Sequence, residues 1–373
     1  MEKLVDTEDE TLLRDAARGF LDDAAPIAAF RANRDAGRPY DPALWSEMAQ
    51  MGWAGVLIPE DHGGADMGHR AAGILAEEMG RTLAASPFIS SAVIAATALR
   101  ASGSDRLTQI ASGEATYALA VDEHAKFTPA RSALQARREG NGFRLTGAKR
   151  FVADGASAGR VLVLARTSGS EGEAGGLTLF DIGAESAGLT REAAESIDAR
   201  DFASLAFDDV EATGAHIVGE LDNGLAALAP ALRAGQAALA AELSGLSSGI
   251  AAITLGYLKE RKQFDRTIGS FQALQHRAAH LFSEIEVTAS AIANAGRVLD
   301  HNPENAAVAV SLAKARATQT AKLAVMEGVQ MHGGIGMTDE FDAGFFMKRA
   351  RTGAEWLGDY GYHAAIVAAA RGL

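Results

Sequence analysis

RKQFDRTIGSFQALQH, residues 261–276, is the stretch on which the reading of the fold turns. It sets a basic pair, a glutamine, a phenylalanine, a polar turn and then a second phenylalanine and glutamine between two long helical patterns. Arg261 and Lys262 fall at a helix end, where cations offset the carbonyl pole of the dipole. That accounts for two basic residues and leaves Gln263, Phe264, Phe271 and Gln272 unexplained. A guanidinium grips phosphate through two parallel hydrogen bonds, side-chain amides read heteroatom edges, and an exposed phenyl ring offers a stacking face. Taken together the group suits a dinucleotide-like cofactor, with the plain helix-end reading standing beside it.

Outward from the corner, residues 224–260, 270–299 and 304–332 carry helical patterns; Leu281, Ile285, Ala289 and Ile292 share the spacing of one buried face. Helices of thirty residues span roughly 45 Å, the length of an antiparallel bundle. Residues 8–118 also have helical punctuation. Leu12, Leu13, Ala16, Phe20 and Leu21 form a stripe, and Asp41-Pro42 opens a helix that ends near Met51-Gly52. The run GWAGVLIPEDHGGADMGH reads as loop, and helices return at 69–83 and 88–102. Between the helical ends lie TYALAV, GFRLTG, RVLVLAR, LTLFDI and SLAFDDVE, short alternating runs separated by EGNG (139–142) and SGSEGEAGG (168–176). The expectation is an α+β chain of three domains: helical over 1–115, mostly antiparallel β over 116–220, and helical over 221–373. No internal repeat is visible.

Bulk properties narrow the function classes. The 373 residues exceed what one core usually serves, and 48% hydrophobic content with 8 prolines is that of a globular chain. A net charge of −13 argues against a nucleic-acid surface. The absence of cysteine excludes disulfides, thiolate catalysis and cysteine-ligated metals, and no cluster has metal-ligand spacing. The start, MEKLVDTEDETLL, has charges where a signal peptide needs an apolar core, so a cytoplasmic protein is expected. Residues 224–258 contain Arg233 and Glu242 and read as a buried helix, not a membrane span.

A second segment sharpens the corner's meaning. GVQMHGGIGMT (328–338) is a helix end followed by three glycines within four residues, which permit positive φ and close backbone approach to a ligand. One glycine suffices for a helix cap, and the spacing is not the strand-to-helix pattern of a Rossmann site. In their order and separation the two segments resemble the acyl-CoA dehydrogenase family, with its R-x-x-F-G turn, F/H-Q and later Q-x-x-G-G-x-G. LWSEMAQMGWAGVLIPEDHGG (44–64) and GAKRFVADGASAGRVLVLAR (147–166) extend the resemblance over nearly the whole chain.

The resemblance implies an FAD enzyme of lipid metabolism with an N-terminal helical domain, a β-barrel-like middle domain and a C-terminal four-helix bundle. Arg261 would contact the FAD pyrophosphate. Gln263, Phe264, Ile268, Phe271, Gln272, Gln330, Gly333 and Gly334 would line its adenosine end. In the family these residues serve a neighbouring subunit's flavin, which implies a dimer of dimers. An acyl-CoA thioester is the implied substrate and an electron-transfer flavoprotein the implied electron acceptor.

Several positions depart from the family pattern. Asp265 stands at the usual glycine and Thr267 at a frequent proline; a carboxylate near a pyrophosphate is repulsive. The family's T-E-P-x-x-G-S-D run is matched by ALAVDEHAKFTPARS (118–132), with Val121 read at the threonine and no G-S-D, and Phe151 replaces a tryptophan placed against the flavin. The base is the largest gap, because the reaction needs a carboxylate in a dry cleft, its pKa raised toward neutrality. Leu357 occupies the glutamate place of Y-E-G-T, and Gly235 the alternative place on the first long bundle helix. Both small groups would leave room for a branched or cyclic acyl chain.

Two carboxylates lie near the empty places. Asp359 sits two residues on, roughly 200° around a helix, and reaches the place if the segment is a turn. Glu242 sits seven residues beyond Gly235, about 10 Å along the axis; burial is expected there, either as base or as partner of an arginine or histidine. His276 and His332 flank the cofactor motifs and are expected to satisfy local hydrogen bonds. The sequence therefore supports a homo-oligomeric dehydrogenase with Glu242 or Asp359 as base. The alternatives are a base-deficient subunit of a heteromer, or another flavin chemistry on the same fold, an oxidase or a monooxygenase.

Overall fold

Helices occupy both ends of the chain and strands its middle in the computed structural model, which describes residues 6–373. Residues 1–5, where the charged N-terminal stretch begins, lie outside the described residues. The helices open at sequence-coded caps. Thr7 and Glu10 form a capping box for α1 (Glu8–Ala24). After α2 (Ile27–Asp35), Asp41 accepts from the Ala43 N–H ahead of Pro42 at the start of α3 (Pro42–Gln50). Then follow α4 (Gly68–Thr82), a π-helical turn over Phe88–Ala95 continuous with α5 (Ala96–Ala101), and α6 (Leu107–Ala111). The 88–102 pattern predicts one α-helix; its first eight residues are π-helical and wholly buried.

The chain divides into two compact units. One contains residues 37–68 and 86–235, and with them the sheet. Its strands are β1 (Tyr117–Ala120), β2 (Gln135–Glu139), β3 (Gly142–Ala153), β4 (Arg160–Arg166), β5 (Leu177–Gly183), β6 (Leu189–Ala194), β7 (Phe202–Thr213) and β8 (Ile217–Val218). They run in the order β6-β7-β3-β2-β4-β5-β8, with β1 pairing parallel to β4. The pairing is otherwise antiparallel save one β2–β4 contact, as the alternating patterns predict. Leu145, Val161, Val163, Phe180 and Leu205 fill the core, where Phe143 meets Phe180 edge-on at 5.4 Å. The β3–β7 register slips between Lys149 and Val152. That bulge puts Phe151 at φ 53 and leaves it 57% exposed.

The other unit contains residues 6–36, 69–85 and 236–373. Its long helices are α7 (Gly224–Glu260, whose first turns belong to the sheet-bearing unit), α8 (Gln272–His301) and α9 (Ala306–His332), followed by α10 (Ala343–Glu355) and α11 (Tyr360–Ala370). α7 is long and apolar enough to cross a membrane, but its most apolar stretch is mostly buried within the protein. Helices α4 and α7 touch through backbone. A Cβ on Gly80 would fall 2.0 Å from the Glu242 carbonyl oxygen, and one on Gly245 only 1.7 Å from that of Glu77. The Asp300 carboxylate of α8 accepts from the His69 and Arg70 N–H groups at 2.6 and 3.0 Å, satisfying the first turn of α4. Buried Glu78 is held by Arg14, Arg18 and Arg81.

Candidate cofactor corner and the base loop

The corner is a two-residue hairpin. Strands β9 (Lys262–Gln263) and β10 (Arg266–Thr267) pair antiparallel, with Phe264 and Asp265 at φ 54 and 62 between them. A turn with both central residues left-handed matches the twist of its strands. The family's glycine at position 265 thus answers to a backbone demand, and aspartate is among the few other residues that tolerate it. Arg266 does not pair with Asp265 among the described residues; its guanidinium lies over the Phe271 ring at 4.0 Å. Phe264 meets Phe271 edge-on at 6.2 Å and is 86% exposed.

Most of the predicted cofactor residues of this unit are open to solvent, Phe271 being covered by Arg266. Arg261 is exposed, and its guanidinium has no partner among the described residues. Gln263, Gln272 and Gln330 are exposed, and Ile268 and Phe271 are half-buried. Gly333 takes φ 67, and a Cβ added to it or to Gly334 would meet nothing within 4 Å. An unpaired guanidinium, a stackable phenyl pair and open backbone fit the phosphate and adenosine portions of FAD. Beside them His332 is buried between Tyr257 and Phe341, with Nδ1 2.6 Å from the Gly328 carbonyl oxygen; burial holds its pKa below the ordinary range. His276 is exposed.

The two candidate bases have partners. Glu242 is buried, with its Oε1 3.6 Å from the Arg349 guanidinium, itself fully buried. Asp359 lies in the turn after α10 and caps α11, accepting from the Tyr362 N–H at 2.8 Å. Glu355 pairs with Arg351 at 2.6 Å.

The turn itself is clamped. Leu357 is buried at φ 58, and its carbonyl accepts from Gln236 Nε2 at 3.0 Å and His363 Nε2 at 3.2 Å. That fixes the proton of His363 on Nε2, so its Nδ1 accepts from Ser311. Burial first, then the nearby Lys314, pushes the His363 pKa down to about 4. Lys314, fully buried in α9, donates to the carbonyls of Gly353 at 2.9 Å and Gly358 at 3.2 Å. Burial pulls its pKa down to about 7 against the pull of Glu355 and Asp359.

Sequence reading passed over Lys314 and His363, and also Asp122 and Lys149 of the sheet-bearing unit. Lys314 had a signal: in AKARAT it shares the helical face of Val310, Ala317 and Ala321, all buried. Val121, read at the threonine place, is buried, while Asp122 beside it has a buried Oδ1 without a hydrogen bond.

Comparison with known proteins agrees with this geometry. Residues 7–114 match the N-terminal domain of acyl-CoA dehydrogenases and residues 222–371 the C-terminal domain. The chain is 31% identical over 357 residues to acyl-CoA dehydrogenase IpdE2 of Mycobacterium tuberculosis, covering 94% of this chain and 93% of that one. Among solved structures, a variant of the Tcur3481–Tcur3483 steroid ACAD is 30% identical with a TM-score of 0.87, covering 98% of each chain. The ChsE4–ChsE5 complex from Mycobacterium tuberculosis shares the fold at 23% identity, with a TM-score of 0.89 over 100% of this chain and 99% of that one. The chain belongs to the acyl-CoA dehydrogenase family. With membership come the oxidoreductase class and FAD as the cofactor.

Proposed function

We propose that the chain works in an assembly that introduces an α,β double bond into an acyl-CoA thioester, a carboxylate removing the α-proton. The observation that carries this reading is the corner: Arg261 unpaired, Phe264 almost wholly exposed and the Gly333–Gly334 backbone open, in a chain of this family. Bound FAD supplies the hydride acceptor. Arg261 holds the pyrophosphate, Phe264, Phe271 and Gln330 hold the adenosine end, and Phe151 offers an aromatic wall. Groups this exposed serve a neighbouring subunit's flavin, giving a dimer of dimers that passes electrons to an electron-transfer flavoprotein in the cytoplasm.

A second reading makes the chain the base-deficient subunit of a heteromer. The engagement of Glu242 by Arg349 and of Asp359 by the α11 cap favours it, since each carboxylate already has a structural partner. The two-protein ChsE4–ChsE5 complex supports such an arrangement for this fold.

A visible spectrum of the chain expressed alone and gel-filtered separates the two. Near one flavin per chain, bleached by acyl-CoA, supports the homo-oligomer. A colourless chain that gains flavin only with a co-expressed relative supports the heteromer, and a chain that takes up flavin under neither condition sinks both. In whichever assembly is coloured, Arg261→Ala should lower flavin retention while leaving the thermal midpoint of the flavin-free protein within a degree or two, as for a surface substitution.

A further inference from the structure

Between α9, α10 and α11 the helical unit leaves a groove of about 380 Å³. Buried Val325 and Ala350, half-buried Ala354 and the two methionines Met326 and Met347 line its apolar part. Met326 is 59% and Met347 40% exposed, so the groove holds open apolar surface in a concave place. Four charged groups border it. Arg351 and Glu355 pair with each other, and Asp359 caps α11. Lys322, the fourth, has no partner among the described residues.

The tip of the corner hairpin presents the complementary pair of groups. Phe264 is almost wholly exposed, so its ring does not lie in the groove of its own chain. Asp265, next to it, has no partner among the described residues. An aromatic side chain that fills a pocket is the usual anchor of a protein interface, and methionine thioethers adapt to ring edges. The unpaired carboxylate in turn matches the unpaired ammonium of Lys322.

We propose that the corner hairpin of one copy of this chain docks in the α9–α10–α11 groove of a second copy, with Phe264 against Met326 and Met347 and Asp265 paired with Lys322. Hairpin and groove are different patches, so a closed pair forms when a twofold axis makes the contact twice. The contact explains why a carboxylate stands at position 265, where glycine alone would meet the backbone demand of the turn. It also brings Arg261, three residues before Phe264, to the second copy's Asp359 and Tyr360, which border the groove. The corner of one copy and the base loop of the other then form one site, a consequence that rests on the FAD reading above.

The test is self-association of the full chain by analytical ultracentrifugation, with and without FAD. Phe264→Ala should raise the dissociation constant on the order of a hundredfold, as for an aromatic hot spot. Asp265→Lys and Lys322→Asp should each raise it roughly tenfold, and the chain carrying both changes should return close to the wild type. All three residues are exposed, and unfolding of the dilute, dissociated chain is blind to the contact, so stability there reports the turn alone. The chain has no cysteine, so mixing Asp265→Cys with Lys322→Cys should give a disulfide-linked pair that neither variant forms alone. Association unmoved by either charge change, or a double change that repairs neither, overturns the contact and leaves the FAD reading to its own spectrum. Loss of flavin from Lys322→Asp with association unchanged gives the groove to the cofactor and overturns the contact too. A wild-type chain that stays monomeric with and without FAD overturns the contact and the homo-oligomer together.

Discussion

Two turns carry non-glycine residues in the left-handed region, and they are held in opposite ways. At the corner, Phe264 and Asp265 are exposed and closed by a two-residue hairpin, and Arg261 beside them has no partner among the described residues. After α10, Leu357 is buried, its own carbonyl is gripped by Gln236 and His363, and the next carbonyl, of Gly358, by Lys314, so three different helices contribute. The first turn leaves its side chains open to solvent. The second has its backbone fixed from within. Gln236, His363 and Lys314 thus fix the shape of this loop whatever side chain position 357 carries.

The sharpest way to break this contrast is Lys314→Met. It strips donors from the Gly353 and Gly358 carbonyls in a dry interior and should cost about 3–5 kcal/mol, seen as a fall in urea midpoint. An unchanged midpoint would mean that the loop is held elsewhere. His363 gives a pH signature of similar origin. Its folded pKa, about 4, lies below the ordinary 6.5, so as pH falls from 6.5 to 4 only the unfolded chain takes up the proton. About 3 kcal/mol of stability should drain away across that window, and His363→Gln should flatten that part of the profile. The smallest effect belongs to the open turn: Asp265→Gly relieves a left-handed side chain and should raise stability by only about 0.5 kcal/mol, with no change of slope in the unfolding curve. A loss of stability there would show that Asp265 makes a contact beyond its turn.

The same contrast explains what could be read from the sequence. The corner was legible because its determinants lie within a dozen residues: helix end, turn, ring, helix start. The fold class followed from the change of period at Gly113 and again at Asn223. Even so, Asp265 was weighed as a charge near a phosphate, whereas the structure gives it a conformational duty as well. The surroundings of Glu242 were not legible, because Arg349 is more than a hundred residues away, and an ion pair at that separation leaves no local pattern. Asp359 was ambiguous between base and cap until the helix start at Tyr360 was fixed. Asp122 has no local signature in the sequence, since no spacing rule reports an oxygen without a donor.

The backbone contacts between α4 and α7 have a mechanical consequence. Side chains can change rotamer to let two helices slip past one another, but Gly80 against Glu242 and Gly245 against Glu77 leave nothing that can rotate out of the way. The pair is a single strut, with its longitudinal register locked at two points about a turn apart. Whatever slides α4 along its axis must carry α7 with it.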